Sequence, residues 1–201
     1  NYGVFMADIP RAKRIVKRIL DEAERLGVND IVLGECGHAY AALKWEAPKW
    51  FGGPLKFRVR SLLEVVDEYL RDGRLHFDPS KNSEAVTYHD PCNIGRKSGI
   101  FEEPRRLING AASDFREMTP NRVQSFCCGG GGGLVANLDW ADFRIKSGKV
   151  KADQIRQSGA KVVVTSCDNC LHQIEELSDH YNLGVRVKNV AQLAVDALVP
   201  E

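Results

Sequence analysis

The chain has 201 residues, 43% of them hydrophobic, which is enough for one domain or two small ones with an ordinary core. Its 28 lysines and arginines balance 27 aspartates and glutamates, which argues against nucleic acid or an acidic membrane surface as the main partner. The sequence contains no signal-peptide pattern and no apolar run of about 18 residues, so it predicts no direct membrane span.

The first part of the chain alternates between helical and strand patterns. Apolar residues recur at helical spacing, short apolar runs follow, and a capping box opens the last helix. The predicted elements are a helix from Pro10 to Leu26, a strand at 31–33, a loop at 44–56, a strand at 57–59 and a helix from Ser61 to Leu70.

The second part follows a polar linker at 72–83. Its predicted elements are a strand at 85–88, a short helix at 103–108, a strand at 123–126, a helix at 139–157, a strand at 162–164, a helix through Leu177, a strand at 185–187 and a helix at 190–198. Because each short apolar strand is followed by a helix, the pattern predicts an α/β fold with parallel sheets. In such sheets, ligands bind outside the carboxyl ends of the strands.

The chain also repeats itself at an offset of about 130 residues. Residues 27–36 resemble 159–167, and 59–61 with the following helix resemble 187–189 with theirs. We therefore predict two pseudo-repeated Rossmann-like βα units, a partial one at 1–78 and a complete one at 79–201.

The first unit is also degenerate, because Ala39 stands where the second unit has Cys170. Residues 84–132 of the second unit have no counterpart in the first. The counterpart would lie before Asn1, so we expect the chain to be the C-terminal part of a longer protein. The alternative is an incomplete duplication, or chance similarity between two generic βα units.

Six cysteines provide the main chemical signal. Cys127 and Cys128 are adjacent and precede five glycines, and Cys167 and Cys170 form a C-x-x-C pair. This usage favours a metal site in a reducing compartment over a disulfide framework. Taken alone, the adjacent pair is also compatible with two small core residues before a glycine-rich loop.

The cysteines converge if the predicted sheet is correct. Cys36, Cys92, the Cys127–Cys128 pair and Cys167 all follow predicted strands. Zinc takes four ligands, so the five cysteines of the second unit favour iron–sulfur chemistry. A fifth cysteine indicates a larger or opened cluster, or one cysteine with a catalytic role.

This cysteine pattern resembles the cysteine-rich "CCG" domain. That domain occurs in heterodisulfide reductase catalytic subunits and in iron–sulfur subunits of glycolate, lactate and glycerol-3-phosphate oxidation. The segment 89–96 is similar to the family's first cysteine segment, and the resemblance extends over the whole chain. Segment 34–39 and the degenerate first unit are most similar to DsrK-type catalytic subunits, from the membrane complex associated with dissimilatory sulfite reduction and hence with sulfate reduction.

The resemblance implies a heterodisulfide-reductase-like oxidoreductase with a noncubane [4Fe-4S] cluster. The implied iron ligands are Cys92, Cys127, Cys128, Cys167 and Cys170. The implied reaction is reduction of a disulfide, or of the trisulfide of a DsrC-like small sulfur-carrier protein, in two one-electron steps. Electrons would come from a cubane [4Fe-4S] pair upstream of Asn1. The implied location is cytoplasmic, peripheral to the membrane through a cytochrome or quinone-reactive partner subunit.

Three further residues are candidates for catalytic roles. Cys36 either borders the substrate pocket or is a small residue at a strand end. His38 or His89 either protonates the leaving thiolate or is structural. Two other functions stay open: an electron relay in a hydroxy-acid (glycolate, lactate or glycerol-3-phosphate) dehydrogenase, and a structural zinc site in an interaction module.

Overall fold

The structure is a computed structural model that describes residues 8–34 and 36–200. Residues 1–7 of the predicted first unit and Glu35 of segment 34–39 therefore lie outside the described residues. The strands are β1 (Asp30–Leu33), β2 (Arg58–Ser61), β3 (Val86–His89), β4 (Val162–Thr165) and β5 (Arg186–Asn189).

The helices lie before, between and after the strands along the chain. They are α1 (Ile9–Leu26), α2 (Gly37–Ala41), α3 (Ala47–Trp50), α4 (Leu62–Arg71), α5 (Glu102–Ala111), α6 (Ala141–Ser147), α7 (Lys149–Ser158), α8 (Asp168–Tyr181) and α9 (Val190–Ala197). Within the described ranges, none of them combines the length and apolar character that crossing a membrane requires.

The strands form two small parallel sheets, which confirms the predicted α/β fold. One sheet pairs β1 with β2, and the other has the order β3-β4-β5, with every residue of β3 and β4 buried. β2 and β5 both run directly into a helix through a capping box, Ser61 with Glu64 and Asn189 with Gln192. The same order of strand, capping residue and helix therefore occurs at Ser61 and at Asn189, the two segments that resemble each other in sequence.

A single hydrophobic cluster joins the two sheets. Helix α5 packs against both α4 and α9, and the cluster runs from Val16 to Ala197. The predicted linker contributes Phe77, which forms an isolated bridge with Leu198. The boundary between residues 78 and 79 stays a prediction, and the core extends across it.

The predicted loop at 44–56 is wrong in its first half. A π-helix, Ala42–Glu46, continues from α2 into α3, so the chain is helical as far as Trp50. Pro48 lies in the first turn of α3, directly after the π-helix. Trp50 packs against the core, whereas Trp45 is exposed.

The predicted strand at 123–126 is also wrong. The structure has a 3₁₀ turn there, Arg122–Gln124, and Arg122 has a left-handed φ of 54°. Val123 and Phe126 are exposed, so their apolar character does not mark a buried strand.

The predicted helix at 139–157 consists of a 3₁₀ turn, Leu138–Trp140, followed by α6 and α7. The break falls at Gly148, where a Cβ atom would come within 2.7 Å of Leu177 and 3.0 Å of the Cys128 carbonyl. The break therefore lets the chain pass close to the second cysteine of the adjacent pair.

Candidate metal centre

The five cysteines of the second unit form one connected group of sulfur atoms. The Sγ atoms of Cys128 and Cys170 lie 3.3 Å apart. Cys92 is close enough to Cys127, Cys127 to Cys128, and Cys170 to Cys167, for each thiol to shift the pKa of the next. Three separate segments of the chain thus bring cysteines close together.

Two of these segments are positioned by neighbouring strands. β3 and β4 are parallel and in register, with His89 paired to Thr165. Cys92 follows β3 and Cys167 follows β4, so both emerge at the same edge of the sheet. Cys167 is the N-cap of α8, which brings Cys170 round within the first turn of that helix.

The adjacent cysteines are positioned by the glycine loop. Gly129 has a φ of 93°, and its N–H donates to the Cys127 sulfur at 3.4 Å. The backbone N–H of Gly130 acts in the same way on Cys128. Arg96 donates to the Ser125 carbonyl at 2.6 Å and so ties the start of this loop to the Cys92 segment.

Gly130 has no room for a side chain. A Cβ atom there would lie 2.8 Å from both Gln173 Cβ and Val135 Cγ2, and 3.0 Å from the Asn169 carbonyl. We expect Gly130→Ala to lower the free energy of unfolding by about 1–3 kcal/mol through overpacking. Denaturant titration followed by circular dichroism measures this loss.

Gly131→Ala is the matched control, since a Cβ at Gly131 meets nothing within 4 Å. If both alanine variants unfold at the same denaturant concentration, the close packing of the loop against α8 does not contribute to stability.

Hydrogen bonds distribute charge unevenly over the sulfurs. The thiols of Cys128 and Cys92, with the Gly129 N–H, hold the pKa of Cys127 well below its usual range. The same contacts raise the pKa of Cys92, and that of Cys128 to about 12. Negative charge therefore forms first on Cys127, at the exposed side of the group.

The deeper pair of sulfurs lies at a helix N-terminus. Hydrogen bonding from the Cys170 thiol lowers the pKa of Cys167 to about 7, against the effect of burial and with help from the backbone N–H groups of Asn169 and Cys170. A helix N-terminus favours negative charge. The site thus has two positions that stabilise thiolate.

His89 lies close to two of the cysteine sulfurs. A ring nitrogen of His89 and the sulfurs of Cys128 and Cys170 all lie within 4.8 Å of one another. The imidazole is buried, its Nδ1 has no hydrogen-bond partner, and burial lowers its pKa well below the usual value. Five soft thiols and a neutral imidazole are a donor set that fits an iron–sulfur cluster, and the unpartnered nitrogen is a further potential ligand.

His38 approaches the same group from the first unit. Its Nε2 lies 2.8 Å from Asn93 Nδ2, and the same amide donates to the Cys92 sulfur at 3.4 Å. Burial and Lys97 lower the pKa of His38. Its Nε2 accepts the hydrogen bond, because the amide nitrogen of Asn93 can only donate. Asn93 is a residue that our sequence reasoning missed, although it stands next to Cys92.

The backbones of the two units meet closely at the same point. A Cβ atom on Gly37 would lie 2.9 Å from Asn93 Cβ and 3.0 Å from the Ile94 nitrogen. Cys36 is exposed, and its sulfur accepts from the Ala39 N–H at 3.4 Å. Cys36 takes no part in the sulfur–sulfur contacts found across the described ranges.

Lys151 is a second residue that our sequence reasoning missed. It lies on α7 with only 1% of its surface exposed. The sequence does contain an indication of this position, because Lys151 shares the buried face of α7 with Ala152 and Ile155. A lysine on an apolar helix face is uncommon unless it has a partner inside.

Comparisons with known proteins agree with this site. Residues 86–175 match the family model "Cysteine-rich domain" (CCG). An "Hdr-like menaquinol oxidoreductase iron-sulfur subunit 2" from Archaeoglobus fulgidus is 26% identical over 99% of this chain and 42% of its own length. One subunit of the "Dihydromethanophenazine:CoB--CoM heterodisulfide reductase" from Methanosarcina acetivorans is 29% identical over 93% of this chain and 45% of its own length.

A third relative, an "EtfAB:quinone oxidoreductase" from Syntrophomonas wolfei, is 30% identical over 81% of this chain and 23% of its own length. The chain thus spans less than half the length of these relatives. The matched residues contain all five clustered cysteines. Residues 86–175 therefore form a cysteine-rich CCG domain, and the chain is homologous to heterodisulfide-reductase-like subunits.

Proposed function

We propose that this chain is the iron–sulfur redox part of a heterodisulfide-reductase-like oxidoreductase, with Cys92, Cys127, Cys128, Cys167 and Cys170 as the ligands of its cluster. The observation that supports this most directly is the 3.3 Å contact between the Cys128 and Cys170 sulfurs beside His89, with Cys92, Cys127 and Cys167 close enough to shift the pKa of neighbouring thiols. More than four thiols in one group exceed what tetrahedral zinc takes.

The proposed cofactor is a noncubane [4Fe-4S] cluster. When bound, it would supply one-electron transfer and an iron atom with affinity for substrate sulfur. The residues of the chain prepare the site for negative charge, because glycine N–H groups and the start of α8 face the sulfurs. The partly buried Cys92 is oriented by Asn93, which is itself held by His38.

The proposed substrate is a disulfide, or the trisulfide of a DsrC-like small sulfur-carrier protein, as in DsrK-type subunits. Reduction of a disulfide breaks one S–S bond and consumes two electrons and two protons. Cys127 and Cys36 are the exposed cysteines, so they mark the side from which such a protein would approach. His38 is the nearest candidate for handling a proton there, whereas the buried His89 is better placed as a support for the sulfurs.

The partners and donors in this proposal come from the family resemblance of the sequence. Electrons would arrive from a cubane [4Fe-4S] pair, and a cytochrome or quinone-reactive subunit would hold the complex peripherally at the cytoplasmic membrane. Relatives named as a menaquinol oxidoreductase subunit and an EtfAB:quinone oxidoreductase support a link to quinones.

A second candidate is an electron relay, as in hydroxy-acid dehydrogenases. It is favoured by the relatives whose names describe electron transfer without a sulfur substrate, the EtfAB:quinone oxidoreductase and a "Probable membrane-anchored ferredoxin" of Chromohalobacter salexigens. In that case the same five cysteines would hold the cluster, and no disulfide would react.

The two candidates predict different results for anaerobically reconstituted protein. Both predict bound iron and labile sulfide and an electron paramagnetic resonance signal. Only the first predicts that protein reduced by a low-potential dye releases free thiol from a small protein trisulfide or disulfide. Zinc without iron or sulfide would contradict both.

A further inference from the structure

Lys151 is a buried cation that lies close to the cysteines. Its Nζ donates to Gln154 Oε1 and lies 3.6 Å from the Met118 sulfur. Both partners are uncharged, and none of the ion pairs formed among residues 8–34 and 36–200 includes Lys151. The other buried cations differ, because Arg105 and Arg144 each pair with a carboxylate.

A buried ammonium without an anion is costly, because it loses its hydration without a compensating charge. Met118, which Lys151 Nζ contacts, packs in one buried cluster with Cys128, Cys167 and Cys170. The other ionisable groups that act on the charge of Lys151 are Asp90 and Cys127. Asp90 is already paired with another cation, because both its carboxylate oxygens accept hydrogen bonds from Arg105. One of them also accepts from the Arg122 backbone N–H. The remaining negative charge that Lys151 can balance is that of the sulfurs.

We propose that Lys151 is the buried counter-ion of the sulfur group and, through it, sets the metal affinity and reduction potential of the site. The proposal rests on the proposed function for the potential, but the metal affinity can be measured without a cluster. Lys151 is thus a positioning residue, because it acts through the cysteines and does not touch substrate.

The sign of each effect follows from charge. Cd²⁺ bound to four cysteines, all in the thiolate form, leaves the site with two negative charges, which an adjacent ammonium stabilises. Adding an electron to a bound cluster also makes the site more negative. Removal of the Lys151 charge should therefore weaken cadmium binding and lower the potential.

The test compares Lys151→Met with Lys149→Met, which removes a charge from the same helix at the exposed surface, where Lys149 pairs with Asp153. Cadmium titration of the cluster-free full chain, followed by thiolate absorption, should give about tenfold weaker binding for Lys151→Met and no change for Lys149→Met. In reconstituted protein, a redox titration should shift the midpoint by about 60 mV to more negative values for Lys151→Met alone, the one-electron equivalent of a tenfold change.

The outcomes separate the two proposals. Equal cadmium affinity and equal potential in Lys151→Met and the unchanged protein would overturn the role of Lys151, as would equal effects of the two variants. If the unchanged protein takes up no iron but Lys151→Met still weakens cadmium binding, the cluster proposal fails and the counter-ion stands. Should circular dichroism show that Lys151→Met is unfolded, Lys151→Gln replaces it, because glutamine is also neutral and keeps a hydrogen-bonding group beside Gln154.

Discussion

Cys128→Ser should lose at least about tenfold in bound iron when the protein is reconstituted anaerobically with iron and sulfide. Cys128 is the central member of the sulfur group, with Cys127 on one side and Cys170 at 3.3 Å on the other. A serine oxygen is harder than a thiolate and binds iron–sulfur clusters poorly. Serine has nearly the same volume, so the fold itself should persist.

Cys36→Ser provides the matched control for this experiment. Cys36 is exposed and is bonded to the Ala39 N–H, away from the sulfur contacts. Iron and labile sulfide are measured on both variants beside the unchanged protein, with circular dichroism to verify folding. Full iron content in Cys128→Ser would remove that cysteine from the ligand set, and equal loss in Cys36→Ser would mean that the five-cysteine assignment is wrong.

Arg105→Met should lower the free energy of unfolding by about 3–5 kcal/mol, because it leaves a buried carboxylate without its cation. Arg105 is 3% exposed and binds both oxygens of Asp90, at 2.8 and 2.9 Å. It also binds Glu117 and the Phe101 carbonyl. The residue thereby links β3, α5 and the segment that leads to Cys127.

Denaturant titration measures this effect, and Arg25→Met is the control. Arg25 pairs with Glu22 on the exposed face of α1, where solvent screens the pair. We expect Arg25→Met to unfold at nearly the same denaturant concentration as the unchanged protein. A comparably small change in Arg105→Met would show that Asp90 reaches water or another donor when its partner is lost.

The sequence was sufficient to predict the edge at which the sulfurs meet. β3 and β4 are short, wholly apolar or buried runs, and the rule for parallel sheets places the residues that follow them together. Cys92 and Cys167 were located by that argument. The capping box at Ser61 was equally visible, because it depends on residues only three positions apart.

The route taken by the adjacent cysteines could not be predicted in the same way. The pattern around Val123 and Phe126 is typical of a strand, but both side chains are exposed, and a 3₁₀ turn leads to Cys127. The Cys127–Cys128 position is set by contacts of the glycine loop with α6 and α8, which are distant in sequence.

The residues that surround the sulfurs were harder still to identify. Asn93 acquires its role only from His38, which lies 55 positions away on the other unit. Lys151 is buried through the packing of α7, which begins after a break at Gly148, close to Leu177 and the Cys128 carbonyl. Helical periodicity alone carries none of this information.

The close approach of Gly37 to Asn93 means that the earlier half of the chain packs directly against the segment that carries Cys92. A truncated protein starting at residue 79 would lose that packing together with the imidazole of His38, and would expose more of Cys92 to solvent oxygen and stray metals. The residues before position 79 therefore help to protect a thiol that lies after it.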